Sequence, residues 1–235
     1  MSLAFAVPPF TLWHDELWDT ILDLSALLDT GSWALIGGQA VVAHALTLDD
    51  SETALLRDVD PVGGIATTVD SLPTVERSFR YLGFAPIAST APGFHFRREA
   101  EGPAPDQLPQ TWAVHAIGVT EWEGADQAYA RRLPFQATKG LRAPWVPVPD
   151  LLSTIVYEAA RFSADVEQPF LHARQAAYLV SLLNDPTGEA ARLTPSDRRA
   201  LRCLDAAVGR PDHHAWDELP SHRDAYSRWR SLLEG

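Results

Sequence analysis

The stretch SWALIGGQAVVAHAL (residues 32–46), followed by LLRDVD (residues 55–60), decides how this chain folds. Ser32 to Ile36 is a short apolar run of the kind that forms a buried strand. Gly37-Gly38 breaks it, and Gln39 to Leu46 resumes helical spacing. A strand, a double glycine and a helix in succession place backbone N–H groups at a helix N-terminus, a ready site for an anion. Asp49 to Ala54 is a polar loop, and Arg57 to Val62 (RDVDPV) alternates charged and apolar residues like a strand with one wet face. Pro61 and Gly63-Gly64 are expected to shorten or bulge that strand.

On a strand, Asp58 and Asp60 point to the same side, about 7 Å apart along the backbone. Two like charges at that spacing are costly without a cation between them. Mg²⁺ suits them, because it takes a few carboxylates plus substrate phosphates, and Mn²⁺ is the alternative. The glycine turn supplies a cradle for those phosphates. Together these features predict metal-assisted phosphoryl or nucleotidyl transfer, with Asp58 and Asp60 as metal ligands.

Working outward, residues 12–28 carry apolar side chains at helical spacing, ended near Gly31. Ser71 to Leu82 reads as a helix with Pro73 in its first turn and Gly83 after its end. Phe84 to Ile87 and Phe94 to Arg98 read as paired strands, Trp112 to Val119 as another, and Pro144 to Pro149 as an extended segment. From Asp150 the pattern turns helical. Asp150 caps a helix over 151–163, a second covers Leu171 to Leu183, and Thr194-Pro195-Ser196-Asp197 opens a third. A last helix is expected over Asp217 to Leu233. The predicted class is α/β (α+β): a mixed sheet flanked by helices over residues 1–149, then a helical bundle over 150–235.

The chain has 235 residues, 46% of them hydrophobic, and a formal net charge of -12. That hydrophobic fraction excludes a disordered chain. No apolar run approaches the roughly 20 residues of a membrane helix. Met1 to Phe10 has no basic n-region and carries Pro8 and Pro9, so no signal peptide is expected and the predicted location is the cytoplasm. The acidic balance repels a polyanion and argues against nucleic acid as a partner. Arg97-Arg98, Arg131-Arg132 and the Arg198, Arg199, Arg202 group read as solvated surface. The single cysteine, Cys203, excludes an internal disulfide and a Cys-based zinc site, and its helical apolar neighbours predict a buried thiol.

The segments WALIGGQAVVAHAL and LLRDVD resemble the glycine turn and DxD signature of the DNA-polymerase-β-like nucleotidyltransferase superfamily, in the AbiEii/MenT-like branch that includes toxins of toxin–antitoxin systems. YLGF with HFRR resembles the helix and strand pair that follows. VPVPDLLSTIVYEAARF and HARQAAYLVSLLNDP with LTPSDRRALR resemble the helical part of actinobacterial members. The resemblance covers roughly residues 30–205. It implies a catalytic set of Asp58, Asp60 and His115, with Gly37, Gly38, Gln39, Arg57 and Arg161 on the phosphates. It also implies an NTP substrate, with a protein or small molecule as acceptor or an antitoxin as protein partner.

Three positions depart from that pattern. His115 stands where the family has a third carboxylate, and histidine favours Zn or Mn over Mg. Glu158 stands where a lysine meets nucleotide phosphate, and Lys139 lies too far upstream to replace it. Gln175 stands where a carboxylate is expected on the next helix. At 4–6 Å and an effective dielectric near 20, each Glu–phosphate charge pair costs about 3–4 kcal/mol. Arg57 and Arg161 are the local cations that would take over.

Plainer readings stand beside these. Asp58 and Asp60 can form a solvated face with Arg57, Gly37-Gly38 a tight packing turn, and His115 a hydrogen-bonded core histidine. His213-His214 read as surface. Trp112, Trp122 and Trp145 read as packing anchors or as walls of a cleft. Three functions compete: a nucleotidyltransferase; a repurposed fold in specialised metabolism using Asp58, Asp60 or His115 as acid and base; and a non-catalytic binding or regulatory pseudoenzyme.

Overall fold

Trp33–Ile36 (β2) has too few residues to bury anything alone, so it forms only by pairing, and what it pairs with sets the sheet. In the computed structural model, β2 lies antiparallel to Val62–Thr67 (β3), which runs parallel to Gln110–Ala116 (β6). Phe94–Arg98 (β5) and Ala85–Ile87 (β4) continue the sheet antiparallel, giving the order β2-β3-β6-β5-β4. A second sheet, in the order β1-β7-β8, joins Leu3–Ala6 (β1), Arg132–Thr138 (β7) and Trp145–Pro149 (β8). The structure describes residues 3–8, 12–48, 62–89, 93–99, 109–117, 125–165, 168–217, 219 and 221–235.

Gly63 and Gly64 do not shorten β3; the strand runs through them. The reason is steric. A Cβ on Gly63 would sit 2.6 Å from the Trp112 indole, and one on Gly64 would sit 3.1 Å from Ile36. Only hydrogen lets the neighbouring strand and its tryptophan come this close. On the same side of the sheet, Leu72–Tyr81 (α3) presents Phe79, which stacks on Phe96 at 4.9 Å and tilts against Trp112 at 5.7 Å. Trp112 is therefore a core anchor and not a cleft wall, while Trp145 is exposed on the other sheet. Trp122 lies outside the described residues.

Leu12–Leu27 (α1) is tied to the β7–β8 hairpin by charge. Lys139 Nζ lies 3.0 Å from Asp15 and 2.9 Å from Asp19, and Arg142 lies 2.7 Å from Asp23. The one lysine is thus a structural clamp. Arg132 is no freely solvated charge either: its guanidinium lies 3.8 Å from the Tyr129 ring centroid and donates to Gly31 O. Tyr129 belongs to the short helix Ala125–Ala130 (α4).

After Asp150 the described residues are helical: Leu151–Ala164 (α5), Pro169–Ser181 (α6), Pro186–Ala190 (α7), Pro195–Val208 (α8), His214–Asp217 (α9) and His222–Glu234 (α10). The caps are those the sequence announces. Asp150 accepts from Ser153 N, and Thr194 and Asp197 close a reciprocal capping box on α8. One continuous hydrophobic cluster runs from Trp18 and Trp33 in the sheet half to Trp216 and Trp229 in the helical half. Cys203, expected to be buried, is exposed, because the apolar stripe of α8 runs through Ala200, Leu201, Leu204 and Val208 instead. No helix is long and apolar enough to cross a membrane among the described residues.

Candidate functional site

The strand–glycine–glycine–helix turn forms as the sequence predicts. β2 ends at Ile36, Gly37 turns the chain at φ +71°, and Gly38 opens Gly38–Leu48 (α2). A positive φ of this size is one that side-chain-bearing residues adopt at a cost, which is why glycine stands here. Among the described residues, a Cβ at Gly37 would meet nothing within 4 Å. The Ala40 and Val41 amides donate to Gly37 O, which leaves those of Gly38 and Gln39 as the first amides at this end. Gln39 is fully buried at the second helical position, and neither its amide nitrogen nor its oxygen has a partner among the described residues.

The sheet register brings the turn and the start of β3 together. Ile36 pairs with Gly64, so Gly37 emerges at the end of the sheet where Val62 begins β3. Val62 follows Asp58-Val59-Asp60-Pro61 directly in the chain. Arg57, Asp58 and Asp60 themselves lie outside the described residues. Among the described residues there is no group of three or more His, Cys, Asp or Glu that could hold a metal ion.

His115 shares a sheet face with Gly64 and Ala66 but sits further along it. It pairs with Ala66, whereas Val62 pairs with Thr111. Four strand positions separate the two levels, about 13 Å by strand rise. The His115 ring backs onto Gly93, whose Cβ would come within 3.1 Å of it. Burial, then the charges of Arg161 and His95, push its pKa down to about 3. His115 is thus a neutral, buried imidazole at neutral pH.

α5 lies over this face. Its Tyr157 packs with Ile36 and Ala66, one residue from the glycine turn. Arg161, one helical turn on, is the charge felt by His115 and pairs with Asp165 at 2.9 Å. Although burial opposes it, Tyr157, Glu158 and Asp165 hold Arg161 more firmly protonated than usual. The structure thus brings Arg161 and His115 together, and sets α5 beside the turn.

Glu158 is fully buried on α5, and its Oε2 lies 2.7 Å from His172 Nδ1 on α6. The sequence argument for phosphate repulsion treats Glu158 as an isolated charge; His172 supplies its counter-charge. Sequence reasoning missed His172. The available signal was an ionisable residue at a core-facing position on each of two successive helices. Gln175, three residues beyond His172, is fully buried with both amide atoms unpartnered among the described residues. On α2, His44 Nε2 contacts Pro149 O at 2.9 Å and Thr154 Oγ1 at 3.2 Å, fixing α2 against the head of α5. Burial outweighs the Pro149 hydrogen bond and the Asp150 charge, and lowers the His44 pKa to about 4.

Compared with protein-family models, with curated proteins and with solved structures, the chain matches none.

Proposed function

We propose that this chain binds a metal–nucleotide at the Gly37–Gly38 turn and transfers its nucleotidyl group to a hydroxyl of a protein or small molecule. The observation that carries this reading is the positive-φ turn at the N-terminus of α2, with a buried Gln39 carboxamide that has no partner among the described residues, at the sheet end where β3 follows Asp58 and Asp60. In this account the first amides of α2 and Gln39 hold phosphate oxygens, and Asp58 and Asp60 hold the divalent ion. When bound, that ion neutralises phosphate charge and polarises the phosphorus under attack. Arg161 lies next to His115 and supplies cationic field to that face of the sheet.

Isothermal titration with each of the four NTPs, in Mg²⁺ and in Mn²⁺, tests the reading. Binding heat with at least one NTP, lost in an Asp58→Asn/Asp60→Asn variant, is expected. No heat with any NTP in either metal overturns it.

A second reading, a nucleotidyltransferase fold repurposed for another substrate, is favoured by Glu158 and Gln175. The α5–α6 wall offers a paired carboxylate and a neutral amide where phosphate binding calls for a cation. A Glu158→Lys/His172→Glu exchange preserves the pair and reverses its polarity. NTP heat gained only in that variant carries this second reading.

A further inference from the structure

The α5–α6 seam contains an ionic chain of which the nucleotide reading uses only Arg161. His172 Nδ1 lies 2.7 Å from Glu158 Oε2, and its Nε2 lies 3.2 Å from Asp165 Oδ2. Asp165 Oδ2 also accepts from Arg161 Nη2 at 2.9 Å, and its Oδ1 accepts from the Gln168 amide where α6 begins. An imidazole with a carboxylate oxygen at each nitrogen satisfies both contacts only when both nitrogens carry protons. Without the ring proton, one ring nitrogen keeps only a lone pair, and that lone pair faces a carboxylate oxygen.

The charged groups that bear on His172 are Glu158 and Arg161 on α5 and Asp165 at its C-cap. α2 brings the neutral His44 against α5. α9 brings His214 against Phe170, and on α10 Arg228 donates to Ser181 O at the far end of α6. The seam is also short of hydrogen bonds. Glu158 Oε1 and both amide atoms of Gln175 are buried without partners among the described residues. Water would satisfy all three if the seam opened, so the closed state rests on packing and on the His172 proton.

We propose that His172 is a proton-operated latch on the α5–α6 hairpin, closed by the doubly protonated ring and released locally when the ring becomes neutral. On release α6 lifts from α5, and Glu158 and Gln175 become hydrated. Burial works against the ring's basicity, but the Glu158 hydrogen bond and charge and the Asp165 hydrogen bond outweigh it. The net direction is upward. Release therefore occurs on the alkaline side of an ordinary histidine.

Amide hydrogen exchange on the full chain, corrected for intrinsic rates and read beside the NMR titration of the His172 ring, tests this. Between about pH 6.5 and about pH 9.5 the α6 amides are expected to lose about tenfold protection or more, while α1 and α8 keep theirs. His172→Gln is expected to give fast, pH-independent exchange in α6. Glu158→Gln, a neutral partner for a neutral ring, is expected to keep α6 closed and remove the pH dependence. Constant protection of α6 across the range overturns the latch. So does loss in step with α1 and α8, and so does a wild-type profile in His172→Gln.

Discussion

Gly37 and Gly63 are both glycines for steric reasons, but different ones. At Gly37 the constraint is the backbone: φ is +71°, and no described residue lies within 4 Å of an added Cβ. Gly37→Ala is expected to cost roughly 1–2 kcal/mol through left-handed strain, a fall of about 2–8 °C in Tm, checked by calorimetry. At Gly63 the constraint is the neighbour, with the Trp112 indole 2.6 Å from any added Cβ. Gly63→Ala is expected to cost about 1–3 kcal/mol by overpacking, read from the denaturant midpoint. The first of these residues was legible as a turn glycine from its place between strand and helix. The second was misread as a strand breaker, because its reason lies in Trp112, far along the chain, and no local pattern carries it. His172 was missed for the same kind of reason: its partner Glu158 is meaningful only once α5 and α6 are laid side by side.

At the scale of elements, legibility followed locality. α5 and α8 are announced by their own caps, and the structure keeps them: Asp150 accepts from Ser153 N at 2.8 Å, and Thr194 accepts from Asp197 N at 3.2 Å. Thr194→Ala is expected to cost about 1 kcal/mol in a denaturant titration, by opening the capping box of α8. Strands β1 and β7 left no readable trace. β7 contains Pro134, which disguises its alternation, and β1 exists only through parallel pairing with β7 more than a hundred residues later. The candidate site divides the same way. The turn at Gly37–Gly38 and the helix that follows it are local and were read in full. The positions of His115, Arg161 and Glu158 relative to that turn depend on how β6 and α5 pack, which only the folded chain sets.

For the whole molecule, one large hydrophobic cluster joins sheet and helices, and the buried, neutral His44 and His115 act on global stability. Burial lowers the pKa of His44 to about 4 and of His115 to about 3. Unfolded, both take up a proton near pH 6.5. The unfolded state therefore binds more protons between that pH and the folded values. The stability these neutral rings contribute is complete above about pH 6.5 and is lost as pH falls toward 4 and then 3. His172 has the opposite sign and acts locally: its raised pKa gives the closed α5–α6 seam a stability that is complete below about pH 6.5 and is lost as pH rises through the folded value. Denaturant midpoints measured across pH should fall on the acid side, and His44→Gln should flatten that acid limb.

On the proposed function, the Gly37–Gly38 turn and the Asp58–Asp60 pair hold a metal–nucleotide between them. A crystal soaked with a nonhydrolysable NTP and Mn²⁺, measured for anomalous scattering, tests this. A manganese peak bonded to both Asp58 and Asp60 is expected, with the triphosphate seated on the Gly38 and Gln39 amides. Asp58 and Asp60 turned away from Gly37, or bound in ion pairs with no manganese between them, would contradict it.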